Sequence, residues 1–298
     1  MNKLSTADRV RIVSALVEGC SIRATSRMTG VAKGTVLKLL TDLGPVCAAY
    51  HDEHVVGLQA ERVQCDELWA FCYAKDKNLP DRMRDEPGVG SIWTWTAIDA
   101  DSKLIISYHA GKRDSEDAKT FMLDLAGRIV NRIQLSTDGH AAYLGAVAEA
   151  FGNNVDYAQL VKIYGDDRGT QARYSPGQCI GTRKIPVMGQ SNAVDVCTSH
   201  VERNNLTIRM HMRRYTRLTN AFSKKLYNLQ CAISIHFMYY NFCRVHSSLR
   251  VTPAMEAGIA DHVWDIEELV GLLERVEAEQ IEAGAMKRGP YKKKADSN

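Results

Sequence analysis

With 298 residues, 45% hydrophobic side chains and a net charge of +3, the chain has the length for one large domain plus one or two small modules and the apolar content for a sizeable core. A near-balanced charge excludes a uniformly basic nucleic-acid coat, so the placement of the charges matters more than their sum. None of the eight cysteines forms a C-x-x-C pair or a zinc-finger spacing, the N-terminal MNKLSTADRV lacks the apolar core of a signal peptide, and no run approaches the roughly 18 apolar residues of a membrane span, so a soluble cytoplasmic protein with no membrane partner is expected.

Residues 1–44 form the first region. Leu4, Val10, Ile12, Val13, Leu16 and Val17 repeat at helical spacing, Ser5 or Thr6 is placed to cap the start, and Gly19 to end it. A short helix over Ile22–Met28 runs into Thr29-Gly30-Val31, and a third helix extends from about Lys33 to Leu43. Helix, short glycine-containing turn and helix is the helix-turn-helix outline, in which the second helix of the pair enters the major groove. Lys33, Thr35 and Lys38 are its candidate DNA contacts, and a trihelical packing module with no DNA role is the equally weighted alternative. Gly44-Pro45 is expected to break the chain, leaving 45–60 as a connector.

From residue 61 the pattern becomes mixed. Arg62–Cys72 and Ile92–Asp99 read as strands, and Leu104–His109 follows after a hairpin turn at Asp101-Ser102-Lys103. Asp114–Arg128 is helical, Ile133–Thr137 a strand ending at Asp138-Gly139, His140–Phe151 helical and Val155–Ile163 a strand. Three strands, helix, strand, helix, strand, helix is the order of the ribonuclease-H-like α/β fold, a mixed sheet flanked by helices, and 61–256 is expected to be that domain. Within it, residues 164–198 read as an irregular insertion, polar, rich in glycine and without periodicity. Residues 199–250 are helical and basic, with Arg203, Arg209, Arg213, Arg214, Arg217, Lys224, Lys225, Arg244 and Arg250 against a single acid, Glu202. Residues 257–286 are acidic, with an amphipathic helix through Ile266, Leu269, Val270, Leu273 and Val276 suited to a partner or to the domain's own flank, and 287–298 form a basic disordered tail.

Phosphodiester transfer needs a nucleophile activated at neutral pH and a leaving oxygen whose charge is neutralised, tasks that two divalent metals roughly 4 Å apart perform. Mg²⁺ and Mn²⁺ are hard cations, so the protein contributes carboxylates converging from rigid elements. Asp66 sits among β-formers in mid-strand, where a charge is costly unless it lines a site. Asp138 ends a strand, where open α/β sheets place ligands. Glu202 is the lone acid among cations suited to a DNA backbone. Taken singly, each has a bland explanation: a solvent-facing strand position, a turn, a helix surface. Glu67, next to Asp66, is expected on the opposite face of its strand; Asp99 is explained by the hairpin turn, and Asp195 lies in the irregular segment. His140 and His200 are expected near the site as supporting or phosphate contacts.

These residues carry a family resemblance. Cys65-Asp66-Glu67-Leu68-Trp69, Ser136-Thr137-Asp138-Gly139 and His200-Val201-Glu202-Arg203-Asn204-Asn205-Leu206 followed by Arg209 resemble the D-D-E transposases of bacterial insertion sequences, most of all the family named for insertion sequence one. Tyr240–His246 with Leu249–Met255 is similar to the segment ending many transposase catalytic domains. The resemblance covers about residues 62–256. It implies a ribonuclease-H-like domain, Mg²⁺ or Mn²⁺ on Asp66, Asp138 and Glu202, double-stranded DNA (terminal repeats and target) as substrate, and cleavage followed by strand transfer. Arg203, Asn205, Arg209 and Arg213 would then lie near DNA, and joining two ends implies a homo-oligomer on DNA, with the acidic C-terminal helix a candidate contact. Members often begin with a zinc finger, and with no cysteine cluster here no zinc is expected. The 63 residues between Asp138 and Glu202 are long for the family because of the insertion. A nuclease or resolvase on the same fold, giving hydrolysis without strand transfer, and a DNA-binding regulator indifferent to Asp138→Asn, are the two other readings.

Overall fold

The computed structural model describes residues 3–84, 86–165, 179–216 and 219–283. Arg217 and the expected basic tail lie outside them, as does 166–178 within the expected insertion. Among the described residues no helix is long and apolar enough to cross a membrane, and all eight cysteines are free.

Three helices come first: α1 (Thr6–Val17), α2 (Ile22–Thr29) and α3 (Lys33–His54). Ser5 caps α1 by accepting from the Asp8 amide, Ser21 caps α2 by accepting from that of Ala24, and Gly19 and Gly30 follow their helices at φ +84° and +72°. The expected break at Gly44-Pro45 does not occur, and α3 runs through both residues. Proline at 45 leaves the Thr41 carbonyl without its intrahelical donor, and the Tyr227 hydroxyl donates to that oxygen at 3.3 Å. Gly44 is the contact point: a Cβ there would lie 2.4 Å from the Cβ of Cys231, so only glycine admits the neighbouring helix α7 (Leu226–Met238) this closely. Tertiary packing thus overrides a local break signal, and the expected boundary at residue 44 falls inside one continuous helix.

The sheet has six strands: β1 (Arg62–Cys72), β2 (Gly90–Asp99), β3 (Ile105–Gly111), β4 (Ile133–Thr137), β5 (Val155–Tyr164) and β6 (Cys179–Met188). Their order is β3-β2-β1-β4-β5-β6. β1, β2 and β3 pair antiparallel, β1–β4 and β4–β5 are parallel, and β6 adds antiparallel to β5. The first five strands, with α4 (Ser115–Arg128) after β3 and α5 (Ala142–Phe151) after β4, make the ribonuclease-H-like arrangement. β6 corrects the expectation of irregular structure across 164–198. Its two faces are both largely exposed, so no hydrophobic alternation marks it, and Pro186 sits near a register shift on this edge strand.

After the sheet come α6 (Ser199–His211), α7, a π-turn over Tyr239–Cys243, the short α8 (Pro253–Glu256) and α9 (Ile266–Glu282). α9 opens on a capping box between Asp265 and Glu268 and buries Leu269, Val270, Leu272 and Leu273. That apolar stripe, an expected oligomer contact, is covered by the chain's own α1 and α3. Arg9, itself buried, sets its Nη2 3.0 Å from Glu277, and the Thr6 hydroxyl donates to Glu274 at 2.8 Å. One continuous core joins these helices to the sheet.

Candidate active site at the ends of β1 and β4

β1 and β4 run parallel with Gln64 level with Ser136, so two residues further along both chains Asp66 and Asp138 stand side by side. Asp66 is in mid-strand, and Asp138 is the first residue beyond the end of β4. Asp138 Oδ1 accepts the His140 amide at 2.9 Å, a turn in which the side chain stabilises its own loop. A Cβ at Gly139 would lie 3.0 Å from Val161 of β5, which accounts for the glycine in this Asp-Gly pair.

Alternate residues of β1 hold α6. Gln64, buried on the same face as Asp66, accepts at Oε1 from the His200 amide at 2.9 Å and the Val201 amide at 3.3 Å, satisfying two donors that a helix start leaves unpaired. Asp66 Oδ2 accepts from Asn205 Nδ2 at 2.7 Å, and its Oδ1 accepts from the Glu67 amide at 2.9 Å. Glu202 lies one turn before Asn205 and is thereby brought towards Asp66. Its own carboxylate accepts from the Thr198 hydroxyl and from the Lys162 ammonium of β5.

Glu67 does point to the other face of β1, next to the Tyr143 hydroxyl of α5, yet it is part of the cluster. Carboxylate oxygens of Asp66, Glu67 and Asp138 all lie within 4.8 Å of one another. Strand alternation separates Asp66 from Glu67, but β4 stops before Asp138, so no strand backbone divides the two faces beside that residue. Glu202 is outside this 4.8 Å group. Arg113, in the turn between β3 and α4, donates from Nε to Glu67 at 3.1 Å, sets Nη2 3.5 Å from Asp138 and lies 4.8 Å from the Trp93 ring centre. Sequence reasoning missed Glu67 and Arg113. The unbroken acid pair Asp66-Glu67 in a strand is the one sequence signal for Glu67, and Arg113 has none.

The electrostatics follow from crowding. Burial, then the charges of Asp138 and Glu202, push the Asp66 carboxyl up to about 6 against the pull of the Glu67 amide and Lys162. Burial and the neighbouring Asp138 push Glu67 up to about 7, opposed by Tyr143 and Arg113. Burial and then Arg113 hold His140 below the usual imidazole value.

The candidate DNA contacts divide. Lys33, Thr35 and Lys38 are exposed at the start of α3, with Lys38 paired to Asp42 one turn on. Arg203 and Arg213 are exposed, and Arg209 is half-buried. Asn205, an expected DNA contact, is 5% exposed and its side chain donates to Asp66. Asp99 is spent on the hairpin turn, accepting from Ser102 and the Asp101 amide, and Asp195 pairs with Arg62.

No protein-family model and no curated protein matches the chain. Among solved structures the chain is similar to the Mos1 strand transfer complex, at 12% identity and a TM-score of 0.23 over 53% of this chain and 59% of that one. It is also similar to the Mos1 transposase paired-end complex with left transposon end, at 11% and 0.22 over 52% and 60%. A third is the piggyBac transposase synaptic complex with hairpin DNA, at 11% and 0.35 over 96% and 76%. The chain spans about three-fifths of the length of the two Mos1 chains.

Proposed function

We propose that the chain is a D-D-E DNA transposase that cuts the ends of an insertion sequence and joins them to target DNA. The observation that carries this reading is the closeness of Asp66 on β1 and Asp138 just past the end of the parallel β4, with carboxylate oxygens within 4.8 Å of each other, and the helix bearing Glu202 fastened to β1 through Gln64 and Asn205.

The donor set fits a hard divalent cation. It is all carboxylate oxygen, and the upward push that Asp138 and Glu202 exert on Asp66 is the repulsion that such a cation relieves. Asp66 and Asp138 would hold Mg²⁺ or Mn²⁺, with Glu202 as third ligand and Glu67 as a further oxygen beside Asp138. Bound there, the cation supplies charge neutralisation at the reacting phosphate.

The chain's own residues do the remainder. Asn205 keeps Asp66 in one rotamer, and Arg113 braces Glu67 and Asp138 from the Trp93 side. The exposed Arg203 and Arg213, with Arg209, track phosphates of double-stranded DNA, while Lys33, Thr35 and Lys38 reach into a groove at the terminal repeats in the helix-turn-helix reading of α2 and α3. Two ends are joined at once, so the working unit is a homo-oligomer on DNA. An element-end duplex with Mg²⁺ tests the reading. Asp138→Asn abolishes cleavage and strand transfer while leaving duplex binding intact, and hydrolysis without any joined product would favour a nuclease instead.

A further inference from the structure

Both oxygens of Glu202 are engaged by the chain itself. Oε1 accepts from the Thr198 hydroxyl, which is buried at the start of α6, and Oε2 accepts from the Lys162 ammonium. The two contacts differ in kind. Thr198 lies one turn before Glu202 in the same helix, and its carbonyl takes the Glu202 amide at 3.0 Å, so it is a fixed neighbour. Lys162 comes from β5, on a long flexible stem, and its side chain is 32% exposed against 37% for Glu202. The ion pair therefore sits at the open mouth of the site, where an ammonium exchanges partners at little cost.

The stem is nonetheless anchored. Lys162 is paired through its backbone to Thr182 of β6, and its neighbour Val161 packs against Gly139, the residue after Asp138. The ammonium also acts on Asp66, whose carboxyl it pulls down. One lysine thus faces two of the three carboxylates expected to hold a cation, and among the described residues no carboxylate outside the site pairs with it.

An ammonium and a divalent cation compete for Glu202 Oε2, because their like charges repel at that separation. We propose that Lys162 is the exchange partner of Glu202: it holds that carboxylate until a divalent cation takes it, and the freed ammonium then binds the phosphate of the DNA strand to be cut. The inference rests on the transposase reading. Lysine suits the role because it is a compact point charge with three rotatable donors, able to swing from carboxylate to phosphate without the planar match that arginine requires. No covalent step is involved. Charge is conserved through the exchange: one cation replaces another on Glu202, and the displaced one meets an anion.

The test uses full-length protein stripped with EDTA. Mn²⁺ binding without DNA, followed by electron paramagnetic resonance, is expected to be at least fivefold tighter in Lys162→Gln and Lys162→Met than in wild type, and within twofold of wild type in Lys162→Arg. At saturating Mn²⁺, single-turnover cleavage of an element-end duplex is expected to fall at least tenfold in Lys162→Gln, with partial recovery in Lys162→Arg. A merely structural ion pair would not tighten Mn²⁺ binding on removal, so unchanged or weaker affinity in both neutral variants overturns the proposal, as does undiminished cleavage. Should the neutral variants lose their thermal transition, reductive ¹³C-methylation of wild type replaces them. The Lys162 signal, assigned with Lys162→Arg, must then move on Mg²⁺ addition, and a static signal is equally fatal. A wild type that binds no Mn²⁺, or whose cleavage survives Asp138→Asn, fails the transposase reading itself.

Discussion

Asn205 Nδ2 donates to Asp66 Oδ2 at 2.7 Å, and together with the Gln64 contacts at the helix start this bond ties the helix carrying Glu202 to the strand carrying Asp66. Both side chains are mostly buried, so the bond acts on geometry as well as on charge. Removing a hydrogen-bond partner of a ligating carboxylate costs roughly 10- to 100-fold in metal affinity or activity. Asn205→Ala is therefore expected to lower strand cleavage by about that factor with little change in duplex binding, measured by single-turnover assay and gel shift. Asn205→Asp sets a second carboxylate against Asp66 and should be the more damaging of the two at pH 8.

Glu67 links stability to pH. Its folded-state pKa of about 7 stands above the ordinary 4.5, so the folded protein holds that proton more tightly than the unfolded chain does. The resulting stabilisation is complete below about pH 4 and is lost as pH rises through about 7. Asp66, raised to about 6, adds to the same trend. EDTA-treated protein should lose stability between pH 5 and pH 8. Glu67→Gln should flatten that slope by an amount on the order of 2 kcal/mol, read from urea midpoints at each pH. An unchanged slope would show that Glu67 does not carry the linkage.

Repulsion among Asp66, Glu67 and Asp138 sets the direction of a second measurement. Without divalent cation, Asp138→Asn should melt at or above the wild-type temperature at pH 8, because one member of the cluster no longer charges. With Mg²⁺ the order reverses: saturation at about 100 times Kd stabilises the wild type by roughly 2.7 kcal/mol, a gain the variant forgoes. Differential scanning calorimetry with and without Mg²⁺ shows whether the curves cross.

Gly44 has a purely structural role. An alanine Cβ would lie 2.4 Å from that of Cys231, so Gly44→Ala must push α3 and α7 apart. Overpacking of this kind costs about 1–3 kcal/mol, less the roughly 1 kcal/mol by which alanine favours a helix interior. A lowered melting temperature is expected, without recovery in the Gly44→Ala, Cys231→Gly double variant, because the Cα of residue 231 still lies 2.5 Å from the added Cβ.

Much of this was legible in the residues because local signals and tertiary need agreed. Ser5, Gly19 and Gly30 bound their helices where their chemistry says they should, and β1 through β5 carry the β-rich or alternating patterns that mark them. Where the two disagreed, packing won. Pro45 sits mid-helix because a tyrosine nearly two hundred residues later supplies the missing donor, and nothing within α3 announces it. β6 gains its ladder from β5 and has no buried face of its own to show. At the candidate site, strand position together with the surrounding motifs singles out Asp66 and Asp138, and their carboxylates lie close together. The alternation of strand faces separates Glu67 from the site only while a neighbouring strand continues, and β4 ends one residue too soon. Asn205 reads as one more polar residue on a basic helix until the register of α6 against β1 is known.

Helices α1 and α3 are completed by elements made later in the chain. α3 needs Cys231 and Tyr227 of α7 at its middle, and α1 needs Glu274 and Glu277 of α9 for the buried Arg9. During synthesis, at roughly 5–20 residues per second, α1 to α3 leave the ribosome well before those partners exist. The sheet between them can assemble in the interval, while the exposed start of α3 waits for a rigid footing. A nascent chain is thus kept from presenting that surface in finished form until the sheet and helices behind it have been built.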